Sequence, residues 1–264
     1  MEIIVTRHSG VKVANGLVSV FLALIGLFSH AEENALLAAD DAMARNIVEK
    51  ADQVRFPAEG FQVEIGVSST QPGQAPELRR YRVLSKGNSN TVVMVTEPAS
   101  DRGQILLMKG RDLWVFMPEV SQPIRIALSQ RLTGQVANGD LARANFASDY
   151  NPKILRSETI GGENYHVLEL NAVDKGVTYQ RVVYWVRQKD FWPYKAEFYS
   201  LSNRLLKTCK YENFQTMEGK QRPTRLVMED ALRKGEQSVL EYSAMKLRDL
   251  PDKIFTKDYL KKLE

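Results

Sequence analysis

The chain has 264 residues, with 36 lysines and arginines against 32 aspartates and glutamates, and a formal net charge of +4 at pH 7. This excess of positive charge is too small to make nucleic-acid binding the default inference, so no nucleic-acid partner is expected. Cys209 is the only cysteine. An intrachain disulfide is therefore excluded, and the fold must be held together by its core.

The start of the chain has the pattern of a secretory signal. Arg7 and Lys12 charge it, an apolar run covers Leu17–Phe28, and Ser29-His30-Ala31 places small residues before a cleavage point. The apolar run is shorter than the roughly 20 residues of a membrane span, and an uncleaved anchor is the alternative. We expect a signal peptide cleaved after Ala31, and export of residues 32–264 as a single soluble domain.

An amphipathic helix is predicted next, from Asn34 to about Phe56. Its apolar positions recur at spacings of three, four and seven, and they are Leu36, Met43, Ile47, Ala51 and Val54. Pro57 and Gly60 end the helix. A helix of this kind ahead of a β-region needs a surface to cover.

From Phe61 the hydrophobic period changes to two, which predicts β-strands. The predicted strands are Phe61–Val67, Leu78–Leu84, Thr91–Thr96, Gln104–Lys109, Asp112–Met117, Tyr165–Ala172, Tyr179–Arg187, Tyr194–Ser200, Leu205–Phe214, Thr224–Asp230 and Ser238–Lys246. A meander of about eleven strands is too long for a flat sheet and should curl into a barrel or half-barrel. After it, the tail from Pro251 is expected to place Tyr259 and Leu260 against the sheet.

The second strand of one hairpin is apolar on both of its faces. Its side chains alternate between the two faces, with Leu113, Val115 and Met117 on one and Trp114 and Phe116 on the other. Since neither face resembles a solvated surface, the hairpin must be covered twice, by the core on one side and by a lid, partner or ligand on the other. An ordinary sandwich strand between two packed layers is the alternative.

The strand pattern is interrupted over Ser129–Leu155, which has no period of two and contains scattered glycine, asparagine and aspartate. We predict one or two short helices there, around Gly139–Phe146. Long irregular insertions in compact β-domains are often lids or binding loops. A disordered linker between two domains is the alternative, and the apolar residues Leu132, Val136, Leu141 and Phe146 argue against it.

The sequence offers few groups for catalysis. After the signal, His166 is the only histidine, and its alternation with Leu168 and Leu170 favours a hydrogen-bonded structural role. No spacing matches a metal site, a phosphate-binding glycine loop or a GxSxG elbow. We therefore predict no catalytic residue, no metal and no cofactor, and we expect a binding protein rather than an enzyme.

Large, adaptable side chains occupy several strands whose opposite face is also apolar. Such residues suit a pocket that must release an apolar ligand, because they repack at small cost. The predicted lining of a hydrophobic cavity is Trp114, Phe116, Met94, Leu106, Met108, Tyr184 and Trp185. On the hairpin, Trp114 and Phe116 are assigned to the inner face, because a wide hollow needs bulky side chains. The other face of that strand would then pack outside, beneath the chain termini.

Several short motifs follow one another in an order that covers nearly the whole chain after the signal. They are a helix ending in Ala51-Asp52-Gln53-Val54-Arg55, the hairpin Lys109-Gly110-Arg111-x-Leu113-Trp114-x-Phe116-x-Pro118 with Arg125-Ile126, Gly139-Asp140 with Ser148-Asp149-Tyr150, Arg222-Pro223-Thr224-Arg225 leading to Met228-Glu229-Asp230, and Leu250-Pro251-x-x-x-Phe255-Thr256 with Tyr259-Leu260. In this order the chain resembles the LolA-like outer-membrane lipoprotein-sorting proteins, in their longer periplasmic branch. The resemblance implies a mainly β fold, a single strongly curved antiparallel sheet that forms an unclosed half-barrel, with the N-terminal helix and a helical lid over its concave face.

The resemblance also implies a function. Proteins of this kind carry lipoproteins or lipids through the periplasm and deliver them towards the outer membrane. The expected partners are lipoprotein acyl chains or lipid, an inner-membrane transporter and, transiently, a membrane, and the carrier is expected to be a monomer. In the best-studied branch one arginine holds the lid closed, and the sequence alone matches no residue here to it. The alternative is a sensor or accessory protein of a membrane transporter that uses the same fold to bind a protein partner.

The signal leads to a first testable prediction. N-terminal sequencing of the protein from a periplasmic fraction should begin at Glu32, because Ser29 and Ala31 supply the small residues that a cleavage site needs. A chain that still begins at Met1 and stays with the inner membrane would contradict the prediction.

Overall fold

The computed structural model describes residues 40–87, 89–143 and 145–260. The predicted signal and the first residues of the predicted N-terminal helix lie outside the described residues. Within the described part, no helix combines the length and the apolar character that crossing a membrane requires.

Most elements of the described residues are strands, and the helices lie at the two ends and in the insertion. In chain order they are α1 (40–55), β1 (Phe61–Thr70), β2 (Glu77–Lys86), β3 (Asn90–Glu97), β4 (Ile105–Lys109), β5 (Asp112–Phe116), β6 (Ile124–Ile126), β7 (Arg131–Thr133), β8 (Val136–Ala137), α2 (Asn138–Ala142), α3 (Phe146–Asp149), β9 (Tyr150–Ile160), β10 (Glu163–Ala172), β11 (Arg181–Arg187), β12 (Pro193–Tyr199), β13 (Leu205–Met217), β14 (Lys220–Asp230), β15 (Gln237–Leu247), a 3₁₀ turn (Asp252–Phe255) and α4 (Lys257–Leu260).

One antiparallel sheet of thirteen strands contains all of these strands except β7 and β8, which pair with each other. Its order is β6-β5-β4-β3-β2-β1-β15-β14-β13-β12-β11-β10-β9, so two meanders are joined by the pairing of β1 with β15. The edge strands β6 and β9 are not paired to each other, and the sheet is not closed into a barrel. The predicted fold class, a mainly β half-barrel, is confirmed, with thirteen strands in place of about eleven.

The two edge strands were missed by the sequence prediction. β6 has three residues, of which Ile124 and Arg125 are exposed and Ile126 is half-buried, and the first half of β9 was assigned to the irregular insertion, which ends at Asp149 rather than at Leu155. An edge strand is paired on one side only and lies beside solvent. It therefore does not need the strict apolar alternation by which the inner strands are recognised.

The two arms of the sheet bend towards each other. In a flat sheet with strands about 4.8 Å apart, the β4–β5 turn and the β10–β11 loop would be roughly 40 Å apart. Instead, Arg111 in that turn donates a hydrogen bond to Asp174 in that loop. The sheet therefore has a concave face, and buried residues from both arms form one apolar cluster with α1.

α1 lies against the concave face through a stripe of small and branched residues. Its buried apolar positions are Ala44, Ile47, Val48 and Ala51. The stripe has the helical spacing that was predicted, but it is rotated about the helix axis, because Met43 is 49% exposed. Val54, which was also assigned to the buried face, is only half-buried.

The C-terminal end of α1 is fixed by a residue of the sheet. Arg222 on β14 donates hydrogen bonds from Nη1 to the carbonyl oxygens of Gln53 (2.9 Å) and Val54 (3.2 Å). The last carbonyl groups of a helix have no partner within the helix, and a positive charge is favourable there. Arg222 thus sets where α1 ends on the concave face.

The lid segment, residues 127–149 with 144 outside the described part, lies between β6 and β9. It contains the β7–β8 hairpin and the short helices α2 and α3, and the prediction of short helices around Gly139–Phe146 is confirmed. Its buried apolar residues belong to the same cluster as α1, and they are Leu128, Val136, Ala137, Leu141, Ala142, Phe146 and Ala147. α1 and the lid segment together cover the concave face.

The C-terminal strap, residues 250–260, covers part of the opposite, convex face. Leu250, Phe255 and Leu260 are buried in a cluster with residues of β2 to β5. The predicted contact of the tail with the sheet is confirmed for Leu260, which is fully buried, whereas Tyr259 is half-buried. Since neighbouring residues of β4 and β5 point to opposite faces, these strands are covered on both sides, as the doubly apolar hairpin required.

A second prediction concerns the strap. Phe255→Ala removes a fully buried ring from the convex cluster, so we expect the free energy of unfolding in urea to fall by about 3–5 kcal/mol. Lys253→Ala, on an exposed position of the same turn, should change it by less than about 0.5 kcal/mol. Equal stability of the two variants would show that the strap does not contribute to the fold.

Candidate functional site

The concave face is filled by the protein's own side chains. Large residues of the sheet, among them Tyr81, Tyr184 and Phe198, are fully buried in the cluster that α1 and the lid segment cover. Beside Arg55 and Tyr211, this cluster leaves cavities of about 20 Å³ and about 10 Å³, each about large enough for one water molecule. An open pocket of about 290 Å³ lies between the lid segment and β13. A larger molecule can reach the space beside Arg55 only if α1 or the lid segment moves.

Two residues of α1 bind the backbone of a single lid residue. Asp52 accepts a hydrogen bond from the Ala147 N–H (2.9 Å), and Arg45 Nη1 donates one to the Ala147 carbonyl oxygen (2.5 Å). Both backbone polar groups of Ala147 are thus hydrogen-bonded to α1. Separating the lid segment from the helix breaks both bonds at once.

Asp52 is a buried carboxylate with a neighbouring cation. Its Oδ1 lies 3.3 Å from Arg55 Nη1 one helical turn away. Burial raises the pKa of Asp52 from 3.8 to about 7. Because the pKa is higher in the folded than in the unfolded protein, this group favours the folded state most below about pH 4, and that contribution is lost as the pH rises to about 7. The contact between α1 and the lid segment therefore contains a charge that is costly to keep dry at neutral pH.

A buried ion pair joins the C-terminal ends of α2 and α3 to each other and to the sheet. Asp149 accepts hydrogen bonds from Arg143 Nη2 (2.6 Å) and from Arg111 Nε (3.2 Å). Arg143 Nη1 also donates to the Gly110 carbonyl oxygen (2.8 Å) in the β4–β5 turn. The side chains of Arg143 and Asp149 are each 5% exposed. Removal of Asp149 would leave Arg143 buried without a counter-charge, which is strongly destabilising.

A second buried ion pair holds α2 against β13. Lys207 Nζ lies 2.8 Å from Asp140 Oδ2 and also donates to the Gln135 carbonyl oxygen. The Tyr179 hydroxyl donates to the same carboxylate (2.8 Å). Burial raises the pKa of Tyr179, so its hydroxyl remains a donor. Charged and polar contacts, in addition to apolar ones, thus attach the lid segment on both sides.

The seven residues that were predicted to line a cavity lie on two faces of the sheet. Those in the concave cluster are Leu106, Met108 and Tyr184. Those on the convex face are Trp114, Phe116 and Met94, near the C-terminal strap, and Trp185, in a separate outer cluster. The structure therefore does not bring the seven together, and a binding role for them stays a prediction.

The orientation that was assigned to β5 is reversed. Leu113 is buried in the concave cluster and Val115 packs against that cluster, whereas Trp114 lies on the convex face with Lys257 Nζ 4.3 Å from its ring centroid. Side-chain size does not decide the orientation, because both faces of β5 are covered. The concave cluster holds large rings elsewhere in the sheet, such as that of Tyr184, and on the convex face the strap packs against the rings of β5.

The residues that hold the lid segment were not identified as a site from sequence, although a signal for them existed. Asp52, Arg111, Asp140, Asp149 and Arg222 all lie within the short motifs that carry the resemblance to the LolA-like proteins. Gly139, which lies in the same motif as Asp140, allows α2 to approach the β10–β11 loop closely. A Cβ at this position would lie 2.0 Å from Thr178 Oγ1. Their meeting in space could not be predicted, since most of them pair with residues far away in the chain.

The described residues contain no group of three or more His, Cys, Asp or Glu side chains placed to hold a metal ion. Cys209 is fully buried, and burial raises the pKa of its thiol to about 12. The thiol is therefore protonated at neutral pH and is not a thiolate nucleophile.

Comparisons with known proteins agree with the fold. A family model described only as "uncharacterized protein" matches residues 87–262. The solved structure of a LolA superfamily protein from Nitrosomonas europaea is 66% identical, with a TM-score of 0.79, over 82% of this chain and 98% of that chain. A DUF1329 family protein from Desulfovibrio piger is 22% identical, with a TM-score of 0.73, over 84% and 99%. A structure from Vibrio parahaemolyticus, described as an outer membrane lipoprotein-sorting protein domain, is 21% identical, with a TM-score of 0.72, over 84% and 99%. Among proteins with curated functions, none matches the chain.

An open, curved antiparallel sheet with a helix and a lid segment on its concave face defines the LolA-like class of folds. The two structures near 20% identity show that this fold is shared. At 66% identity over most of both chains, the protein belongs to the LolA superfamily.

A third prediction tests the attachment of the lid segment. Asp149→Asn removes the charge that faces Arg143 in a buried site, so the free energy of unfolding should fall by about 3–5 kcal/mol. Backbone amides of residues 138–143 and 145–149 should exchange hydrogen faster than in the wild-type protein.

Asp174→Asn is the matched control, because Asp174 also pairs with Arg111 but its side chain is 49% exposed. Loss of this surface pair should cost at most about 1 kcal/mol. If the two variants have the same stability and the same exchange pattern, the buried pair does not hold the lid segment.

Proposed function

We propose that this protein is a periplasmic carrier that binds the acyl chains of lipoproteins or lipids under the lid segment and delivers them towards the outer membrane. The observation that carries the proposal is the apolar concave face, whose cover is one helix and an insertion rather than a second sheet. Membership of the LolA superfamily supports a lipid- or lipoprotein-binding carrier. A relative with the same fold is described as an outer membrane lipoprotein-sorting protein domain, which also agrees with such a role.

Binding would exchange the apolar contacts of the lid segment for contacts with the cargo. Each buried methylene contributes about 0.8 kcal/mol, so an acyl chain of about fifteen methylenes supplies on the order of 12 kcal/mol before the cost of opening. The buried pairs Arg143–Asp149 and Lys207–Asp140 oppose opening. This balance favours a closed empty protein and an open loaded one.

The polar nature of the lid contacts suits repeated opening. A charged side chain that leaves its buried partner when the lid segment moves is rehydrated by water, which offsets part of the lost ion-pair energy. The apolar residues of the lid segment have no such compensation unless cargo replaces the surface that they leave. Opening is therefore favoured when an apolar ligand is present.

The proposed cellular location and route of the carrier rest on the predicted signal and on the superfamily. Export of residues 32–264 would place the carrier between an inner-membrane transporter, as the donor, and the outer membrane, as the destination. The protein acts in this proposal by binding and release, and no catalytic step is required of it.

A fourth prediction tests the inner face with two neighbouring residues of β5. Val115 and Trp114 are both half-buried, but they lie on the concave and the convex face respectively. In a titration with a fluorescent long-chain lipid, Val115→Asp should weaken binding at least about tenfold, because a charge then lines the apolar hollow. Trp114→Asp should bind the probe as the wild-type protein does.

Thermal melts of both variants check that they fold. Lipid extraction and mass spectrometry of the protein purified from a periplasmic fraction should in addition find bound lipid. Equal binding by both variants, together with a purified protein that carries a partner protein and no lipid, would favour the sensor or accessory protein over the carrier.

A further inference from the structure

Arg55 is a cation enclosed in the apolar cluster on the concave face. It lies in the last turn of α1 and is 8% exposed. Its guanidinium carbon lies 4.4 Å from the ring centroid of Phe146 in the lid segment and 5.8 Å from that of Tyr211 on β13. The side chain thus lies between the helix, the lid segment and the sheet, at the position that cargo would occupy.

The guanidinium of Arg55 uses few of its donors within the described residues. An arginine has five N–H groups, and the hydrogen bond that the described residues provide is the one to Asp52 Oδ1, at 3.3 Å. The two water-sized cavities on the concave side both border this side chain. Arg55 is thus a permanent charge with donor capacity that faces space inside the hollow.

A buried hydroxyl stands beside Arg55 without a partner. Among the described residues, the hydroxyl oxygens of Tyr184 and Tyr81 are buried and accept or donate no hydrogen bond. The ring of Tyr184 packs edge-on against the rings of Phe146 (5.4 Å between centroids) and Tyr211 (6.0 Å), the same two rings beside which the guanidinium of Arg55 lies. Tyr81 lies on β2, opposite Ile65 of β1 and Val95 of β3. Buried polar groups are normally paired, and an unpaired one calls for an explanation.

We propose that Arg55 and Tyr184 form a subsite for the anionic head of the cargo, a carboxylate or a phosphate ester, with the acyl chain lying along the concave face. The inference rests on the proposed carrier function and specifies its ligand as an anionic amphiphile bound with its head inward. Charge-assisted hydrogen bonds from a guanidinium and a tyrosine hydroxyl are the contacts that such oxygens require. In the closed protein, the carboxylate of Asp52 takes the place of the ligand's anion.

The subsite is coupled to the lid segment through Asp52. The same carboxylate that pairs with Arg55 accepts the hydrogen bond from the Ala147 N–H. An anion that binds Arg55 removes the counter-charge of Asp52, and a buried carboxylate without a counter-charge is costly. Asp52 then takes up a proton or moves to where water reaches it, and either change weakens the bond from the Ala147 N–H that joins α1 to the lid segment. Head-group binding and opening therefore support each other.

Competition against a fluorescent long-chain lipid probe tests the proposal with three competitors of equal chain length, a fatty acid, its methyl ester and a monoacyl glycerol phosphate. The wild-type protein should bind at least one of the two anions about tenfold or more tighter than the ester. Preference for the carboxylate or for the phosphate identifies which source of anionic oxygen the subsite takes.

Tyr184→Phe is the decisive variant, because it removes a hydroxyl that has no partner in the closed protein and should leave the thermal midpoint unchanged or raised. It should weaken binding of the preferred anion about tenfold and leave binding of the ester unchanged. Tyr81→Phe removes the other unpartnered hydroxyl, away from Arg55, and should alter neither. Arg55→Gln, checked for folding by a thermal melt, should abolish the preference for the anion.

The outcomes separate the subsite from the carrier function. Equal binding of acid, phosphate and ester by the wild-type protein would overturn the anionic subsite and leave the carrier intact. Equal effects of Tyr184→Phe and Tyr81→Phe on the anion would also overturn it. If none of the competitors and no probe binds, the carrier function fails together with the subsite.

Discussion

An apolar concave face on an open sheet is the constraint on which this structure depends. A closed barrel would bury that face against itself, but here the edge strands β6 and β9 stay apart, and the face must be covered by something else. α1 and the lid segment supply the cover, and their apolar stripe and buried side chains complete one cluster with both arms of the sheet. Because the cover belongs to separate segments, it can be replaced, whereas the two sheets of a sandwich cannot part without unfolding.

The lid segment is attached to the sheet by charged contacts as well as by apolar ones. Two buried ion pairs, Arg143–Asp149 and Lys207–Asp140, lie where the lid segment meets the sheet. Buried ion pairs add little to stability compared with apolar packing, but they favour one geometry, since any shift leaves charges unpaired. The lid segment therefore has a defined closed position without being held by apolar packing alone.

The sequence predicts the fold class because the inner strands, α1 and the insertion each have a clear pattern. It does not predict β6 and β9, since edge strands are half solvated, or the orientation of β5, since both of its faces are apolar and alternation cannot distinguish two covers. Trp114 and Phe116 were assigned inward on size, and the structure places them under the strap. Arg55 lay within a motif, but its burial among Phe146 and the tyrosines depends on contacts between distant segments, which no local pattern contains.

The pairing of β1 with β15 brings the first and the last strand of the sheet together at its centre. Phe61 lies opposite Leu247, so the two meanders remain separate until nearly the whole chain is available. Pairing over such a sequence distance is slow, because a long loop must close before any contact forms. In the proposed export from the N-terminus, β1 would cross the membrane well before β15. The two arms could then not close around α1 until nearly the whole chain had crossed.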